Sequence, residues 1–167
     1  MMKRNSEYWI EKLKLTPHPE GGHFREIYRS EEKILKLHLP GRFYGDRNFS
    51  TSIFYLLSDK EFSRFHKIKS DELWHFYSGE CLVIYEIDLE GKLIENKLGL
   101  QIENGESPQI IIKAGNWFAA KLQTDSGYCL AGCTVSPGFH FEDLEMADRK
   151  KLIELFPEHK NVITNLT

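Results

Sequence analysis

Between Thr51 and Val135 the chain divides into about eight short runs rich in Ile, Val, Phe, Tyr and Trp, and few folds accommodate such a series. The runs cover 51–57, 64–68, 72–77, 81–88, 93–98, 109–113, 116–122 and 128–135. Between them lie Ser78-Gly79, Glu90-Gly91-Lys92, Asn104-Gly105-Glu106, Ala114-Gly115-Asn116 and Asp125-Ser126-Gly127. Glycine and asparagine tolerate the positive φ angles that tight turns demand. Closely spaced strands with tight turns predict an all-β protein built as an antiparallel sandwich or barrel.

The flanks read differently. Trp9, Ile10 and Leu13 fall at helical spacing, Ser6 is placed to cap the start, and Pro17 bars continuation. Pro17-His18-Pro19-Glu20-Gly21-Gly22 is turn-rich and leads into a strand over 23–28, whereas 31–48 predicts an irregular or hairpin excursion. Ser136-Pro137-Gly138 ends the last strand, and Leu152, Ile153, Leu155 and Phe156 mark a helix stopped before Pro157. One domain is expected over residues 1–167, with a strand core near 23–136 and a C-terminal helical segment near 141–160. A chain of this length can bury a core large enough to enclose a pocket.

Composition narrows the partners. A net charge of -3 with scattered Lys and Arg gives no footprint for nucleic acid. No stretch approaches the ~20 apolar residues of a membrane span and residues 1–7 lack a signal-peptide run, so the expected location is cytoplasmic, with no membrane partner. Cys81, Cys129 and Cys133 have no CxxC spacing and read as reduced core residues.

Chemistry concentrates in 64–79. Strand alternation places Arg64, His66 and Ile68 on one side of their run, and Glu72, Trp74 and Phe76 on one side of the next, with His75 and Tyr77 opposite. A carboxylate among aromatics is costly unless it meets a metal, a cation, an imidazole or a proton. Arg64 and His66 are the nearest partners for Glu72 in the sequence. Two readings stay open: a general acid–base site, or a buried structural pair of Glu72 with Arg64 beside a His66 bonded to backbone. His18, His38, His140 and His159 lie in loop or terminal contexts and read as solvated.

Three strings carry a resemblance: Pro17 to Glu26 (PHPEGGHFRE), the block from Ser63 through Ser70-Asp71-Glu72-Leu73-Trp74-His75 to Gly79, and Gly132 to Phe139 (GCTVSPGF). Pro108-Gln109, Ala114-Gly115-Asn116-Trp117 and Leu155-Phe156-Pro157 add to it. Together they resemble the cupin superfamily, specifically its DUF985 (Cupin_5) branch. The resemblance implies a cupin jelly-roll β-barrel with short N-terminal and C-terminal helices, a homodimer, and a ligand cavity lined from the barrel interior, with no established reaction. The general cupin pattern supplies two histidines and a Glu in a first motif and a third His in a second. Here His66 and Glu72 match, while Ile68 and Phe118 stand at the other two positions. No cofactor is therefore expected; a divalent metal, if one binds, would take His66 and Glu72 and recruit His75 or Cys133. Gly22 to Glu26 is also similar to the Gly-x-Phe-x-Glu segment of metal-free cupin sugar-nucleotide 3,5-epimerases, in which a His abstracts a proton next to a carbonyl. Gly21 and Pro19 replace the Arg and Asp of that segment.

The expected function is binding of a small molecule in the barrel. The catalytic candidates are Arg64, His66 and Glu72, and the candidate ligand-binding residues are Trp74, Phe76, Phe118, Cys133 and Phe139. One alternative is a metal-independent isomerase or epimerase acting on a sugar-like or carbonyl substrate, with His66 as base, Glu72 orienting it and Arg64 stabilising the oxyanion. A second is a metal-dependent cupin enzyme.

Overall fold

The computed structural model describes residues 5–167. Helix α1 (Ser6–Leu13) opens the described chain, and its N-cap is Asn5, whose side chain accepts from the Tyr8 N–H. The cap thus sits one residue before the serine the sequence suggested. Asparagine caps as well as serine, and here its backbone is the one held extended. Lys14, in the left-handed region, ends the helix before Pro17 is reached.

The strands follow as β1 (Thr16–Pro17), β2 (His23–Arg29), β3 (Lys33–Ile34), β4 (Arg47–Asn48), β5 (Thr51–Ser58), β6 (Phe62–Lys67) and β7 (Asp71–Gly79). They continue as β8 (Leu82–Ile87), β9 (Leu93–Leu98), β10 (Gln109–Ile112), β11 (Trp117–Leu122), β12 (Tyr128–Ser136) and β13 (Glu145–Met146). Helices α2 (Arg149–Leu155) and α3 (Lys160–Asn165) close the chain. Among the described residues, one sheet runs β1-β2-β5-β12-β7-β10, a second runs β13-β6-β11-β8-β9, and β3 pairs with β4 in the 31–48 excursion. The named pairings are antiparallel.

This is a jelly roll of two facing sheets, not one continuous ladder closed on itself. Alternate residues of each sheet point inward, so Tyr55, Leu57, Trp74, Ile84, Ile112, Phe118 and Leu122 form the core between them. Each large apolar side chain buried there stabilises the fold by about 1.5–3 kcal/mol.

Two interruptions of the alternation matter for the site. Phe118 pairs with His66 but Ala120 pairs with Ser63, so β6 carries one residue more than β11 over that span. Likewise Glu26 pairs with Ile53 and Tyr28 with Ser52, which leaves Ile27 as an extra residue in β2. Each bulge exchanges the inward and outward sets beyond it.

The other face of the second sheet is covered by the C-terminal helices. Phe65, Ile87 and Ala119 meet Leu152, Ile163 and Leu166 there. Phe65 also donates its N–H to the Leu166 carbonyl at 2.8 Å and accepts from the Ala147 N–H at 2.9 Å. Helix α3 lies beyond the single C-terminal helix read from the sequence. Lys160–Asn165 is short and carries two asparagines and three β-branched residues, so it is held by burial of Ile163 and of its C-cap Leu166 more than by propensity. Among the described residues, no helix is long and apolar enough to cross a membrane.

Candidate functional site

A partly enclosed cavity of about 70 Å³ opens between the sheets. Inward positions of β2, β5 and β12 give one wall: Phe24 and Glu26, then Thr51, Ile53 and Tyr55, then Cys133 and Val135. The loop before β2 adds His18 and Glu20, β6 and its end add His66 and Ile68, β7 adds Glu72, and the segment after β12 adds Phe139 and Phe141.

The loop 18–22 is folded to bring Glu20 inward. Gly21 and Gly22 both have positive φ, the His18 N–H donates to the Gly22 carbonyl at 2.9 Å, and the Tyr55 hydroxyl donates to the Gly21 carbonyl at 2.7 Å. Glu20 is 7% exposed, and its Oε2 lies 3.1 Å from His66 Nε2. His66 Nδ1 lies 2.7 Å from the Arg64 carbonyl oxygen, which can only accept, so Nδ1 carries a hydrogen. Nε2 of a neutral ring would then be bare, and a bare nitrogen repels a carboxylate. The 3.1 Å contact is therefore a hydrogen bond that Nε2–H donates to Oε2.

His18 borders the same carboxylate at 3.5 Å, and its Nδ1 accepts from the Glu20 N–H. Burial against the edge of Phe24 holds its pKa down and outweighs the pull of Glu20, so His18 stays neutral.

Glu72 completes the polar end. Its carboxyl is buried, and burial, reinforced by the charge of Glu20, pushes its pKa up to about 8; the Trp74 indole and Cys133 thiol beside it oppose the shift. It is a neutral acid at pH 7 and can donate a hydrogen bond into the cavity. Burial, with Glu72 and Glu20 nearby, raises the Cys133 thiol well above its ordinary value, so it is no nucleophile.

The residues read from the sequence separate into three groups. His66, Glu72, Cys133 and Phe139 line the cavity. Trp74, Phe76 and Phe118 lie behind its wall: Trp74 packs edge-on against Tyr55, Phe76 packs on the core, and Phe118 lies 4.1 Å from the His66 ring between centroids. Arg64 is corrected outright. It is exposed and donates to the Pro19 carbonyl outside the cavity, because the β6 bulge breaks the parity it would have shared with His66. The proposed Arg64–Glu72 pair does not form. His75 faces away from Glu72, toward Thr134 Oγ1 at 3.2 Å and Gln109 Nε2 at 3.2 Å.

Glu20 is absent from the candidates read from the sequence, and His18, expected there to be solvated, has a side chain only 7% exposed because it packs into the cavity. The available signal was a Glu set between Pro19 and a double glycine, a loop too constrained to be a plain connector.

A family model described as "Cupin superfamily (DUF985)", Cupin_5, matches residues 7–147. The chain belongs to this family. A Shewanella oneidensis protein solved by X-ray crystallography is 38% identical, with a TM-score of 0.89 over 99% of this cupin and 98% of that chain. A hypothetical protein from Leishmania major is 30% identical, with a TM-score of 0.87 over 98% and 99% of the two chains. Oxalate decarboxylase from Bacillus subtilis shares the fold, at 16% identity and a TM-score of 0.55 over 90% of this chain and 36% of that one. A search of curated proteins returned no significant match.

Cupins commonly hold a metal on histidines at the positions that Ile68 and Phe118 fill here, and both are apolar and buried. His66 Nε2 is turned directly onto Glu20. Among the described residues, no group of three or more His, Cys, Asp or Glu is arranged to hold a metal ion. Of the four donor positions of the general cupin pattern, this cupin keeps His66 and Glu72, short of the three or more ligands that a resident metal takes.

Proposed function

We propose that this cupin binds a small carbonyl compound between its sheets and catalyses metal-independent proton transfer at the carbon next to the carbonyl, an isomerisation or epimerisation. The observation that carries the reading is the Glu20–His66 contact of 3.1 Å beside a Glu72 that is still protonated at pH 7. The Glu20–His66 pair takes the proton from carbon at Glu20 Oε1, the oxygen not turned to His66, while the His66 N–H stays on Oε2. The C–H electrons move into the carbonyl to give an enolate, whose negative charge balances the positive charge the pair gains. The Glu72 carboxyl donates a hydrogen bond to the developing oxyanion, the role the sequence had offered to Arg64. Return of the proton to the other face of that carbon gives the epimer. In a 2-hydroxycarbonyl compound, where the neighbouring hydroxyl passes its proton to the enolate oxygen, return to the former carbonyl carbon gives the isomer, with no change in oxidation level overall. Phe24, Ile53, Val135 and Phe139 supply apolar walls that exclude water from the enolate.

The test is exchange of carbon-bound hydrogen in D2O, followed by NMR over a panel of ketones and free sugars. Protein-dependent exchange that disappears in His66→Ala, with the fold retained, supports the reading. Exchange undiminished in that variant would remove the proposed base.

A further inference from the structure

The charged groups of the cavity are already matched to one another. Arg29 is the one Lys or Arg among its described lining residues, and it stands at the mouth. Its Nε and Nη2 donate to the two oxygens of Glu26 at 3.0 and 2.6 Å, and its Nη1 donates to Asn48 Oδ1 at 2.9 Å and the Phe139 carbonyl at 3.1 Å. The β2 bulge makes this possible, because it puts Glu26 and Arg29, three apart in sequence, on the same face. Arg29 thereby anchors the segment carrying Phe139, whose N–H is tied to Thr51 Oγ1 at 2.9 Å. At the inner end Glu20 is matched by His66. What remains for a ligand is a neutral carboxylic acid, Glu72, and the rings and branched side chains of Phe24, Ile53, Val135, Phe139 and Phe141.

We infer that the cavity takes an uncharged carbonyl or hydroxy-carbonyl compound and discriminates against substrates carrying a carboxylate, phosphate or ammonium group. A buried anion would find no free cation, since the Arg29 donors are taken up by Glu26, Asn48 and the Phe139 carbonyl, and drawing the guanidinium inward would release the segment carrying Phe139. An ammonium would find no free carboxylate, since Glu20 is matched and Glu72 is protonated. An unmatched charge in such a site costs more than its contacts return. The inference rests on the cavity being the ligand site, but not on the proton transfer proposed there.

Cyclohexanone, cyclohexylamine and cyclohexanecarboxylate share one ring and differ in charge, so they separate the possibilities. Each is titrated into the wild-type protein, with the methyl resonances of Ile53 and Val135 as the readout. Cyclohexanone should shift both and bind at least about tenfold tighter than either charged compound, a ratio that corresponds to ~1.4 kcal/mol. In Glu26→Gln, which loosens the hold on the Arg29 guanidinium, the affinity of the carboxylate relative to cyclohexanone should rise. Equal or tighter binding of a charged compound to the wild type, or no relative gain for the carboxylate in Glu26→Gln, overturns the inference and leaves the cavity as a ligand site. If none of the three shifts Ile53 or Val135, the cavity reading falls together with the inference.

Discussion

Glu20 Oε2 and His66 Nε2 meet at 3.1 Å across the inner end of the cavity, one from the Pro-Gly loop before β2 and the other from β6. Both are almost fully buried, so the contact replaces water for each. Removing one partner strands the other, and such losses cost about 3–5 kcal/mol. His66→Ala should therefore destabilise the protein by an amount of that order in urea unfolding. The double variant Glu20→Gln/His66→Ala should cost less than the two single changes summed. Additive costs would show that the two residues do not interact.

Glu72 gives the protein a pH dependence of definite sign. Its pKa rises from 4.5 to about 8 on folding, so the native state binds more protons than the unfolded chain between those values. Stability from this group is complete below pH 4.5, falls as pH rises through the interval and is lost above about 8, by on the order of 5 kcal/mol. Glu72→Gln should flatten that fall in a series of urea-unfolding midpoints. An unchanged slope would mean that the carboxyl is ionised in the fold.

Gly21 has φ +123°, and a Cβ there would collide with the carbonyl oxygen of Phe62. Gly21→Ala should cost about 2–3 kcal/mol through strain and displacement of the loop, and through Glu20 it should abolish proton exchange as well. Wild-type stability and exchange in this variant would show that the loop does not position Glu20.

Arg64→Ala should leave ligand affinity unchanged, because the guanidinium lies outside the cavity, and should slow exchange less than Gly21→Ala does, because it removes only one bond to the Glu20 loop, at the Pro19 carbonyl. A loss of exchange as complete as in His66→Ala would contradict the outward placement.

The strands and turns were legible because apolar alternation and glycine-bearing turns are local signals. The expected strand over 23–28 is β2, and the last run, 128–135, falls within β12. His66 and Glu72 were legible as inward groups for the same reason. Arg64 was misread because a bulge is a property of two paired strands, and β6 alone does not reveal that it holds one residue more than β11. Glu20 and His18 were passed over because proline and glycine mark a turn without saying which way its side chains face. That direction is set by the Tyr55 hydroxyl, which reaches the loop from β5.

The bulge that turns Arg64 outward also gives Phe65 to the far side of its sheet, where it is bonded to Leu166 and Ala147. The imidazole of His66 is thus the neighbour of a residue clamped by the last helix. A part of the chain that touches no ligand packs directly behind the strand that carries His66, so truncating Ile163 or Leu166 would lower stability and disturb the site together.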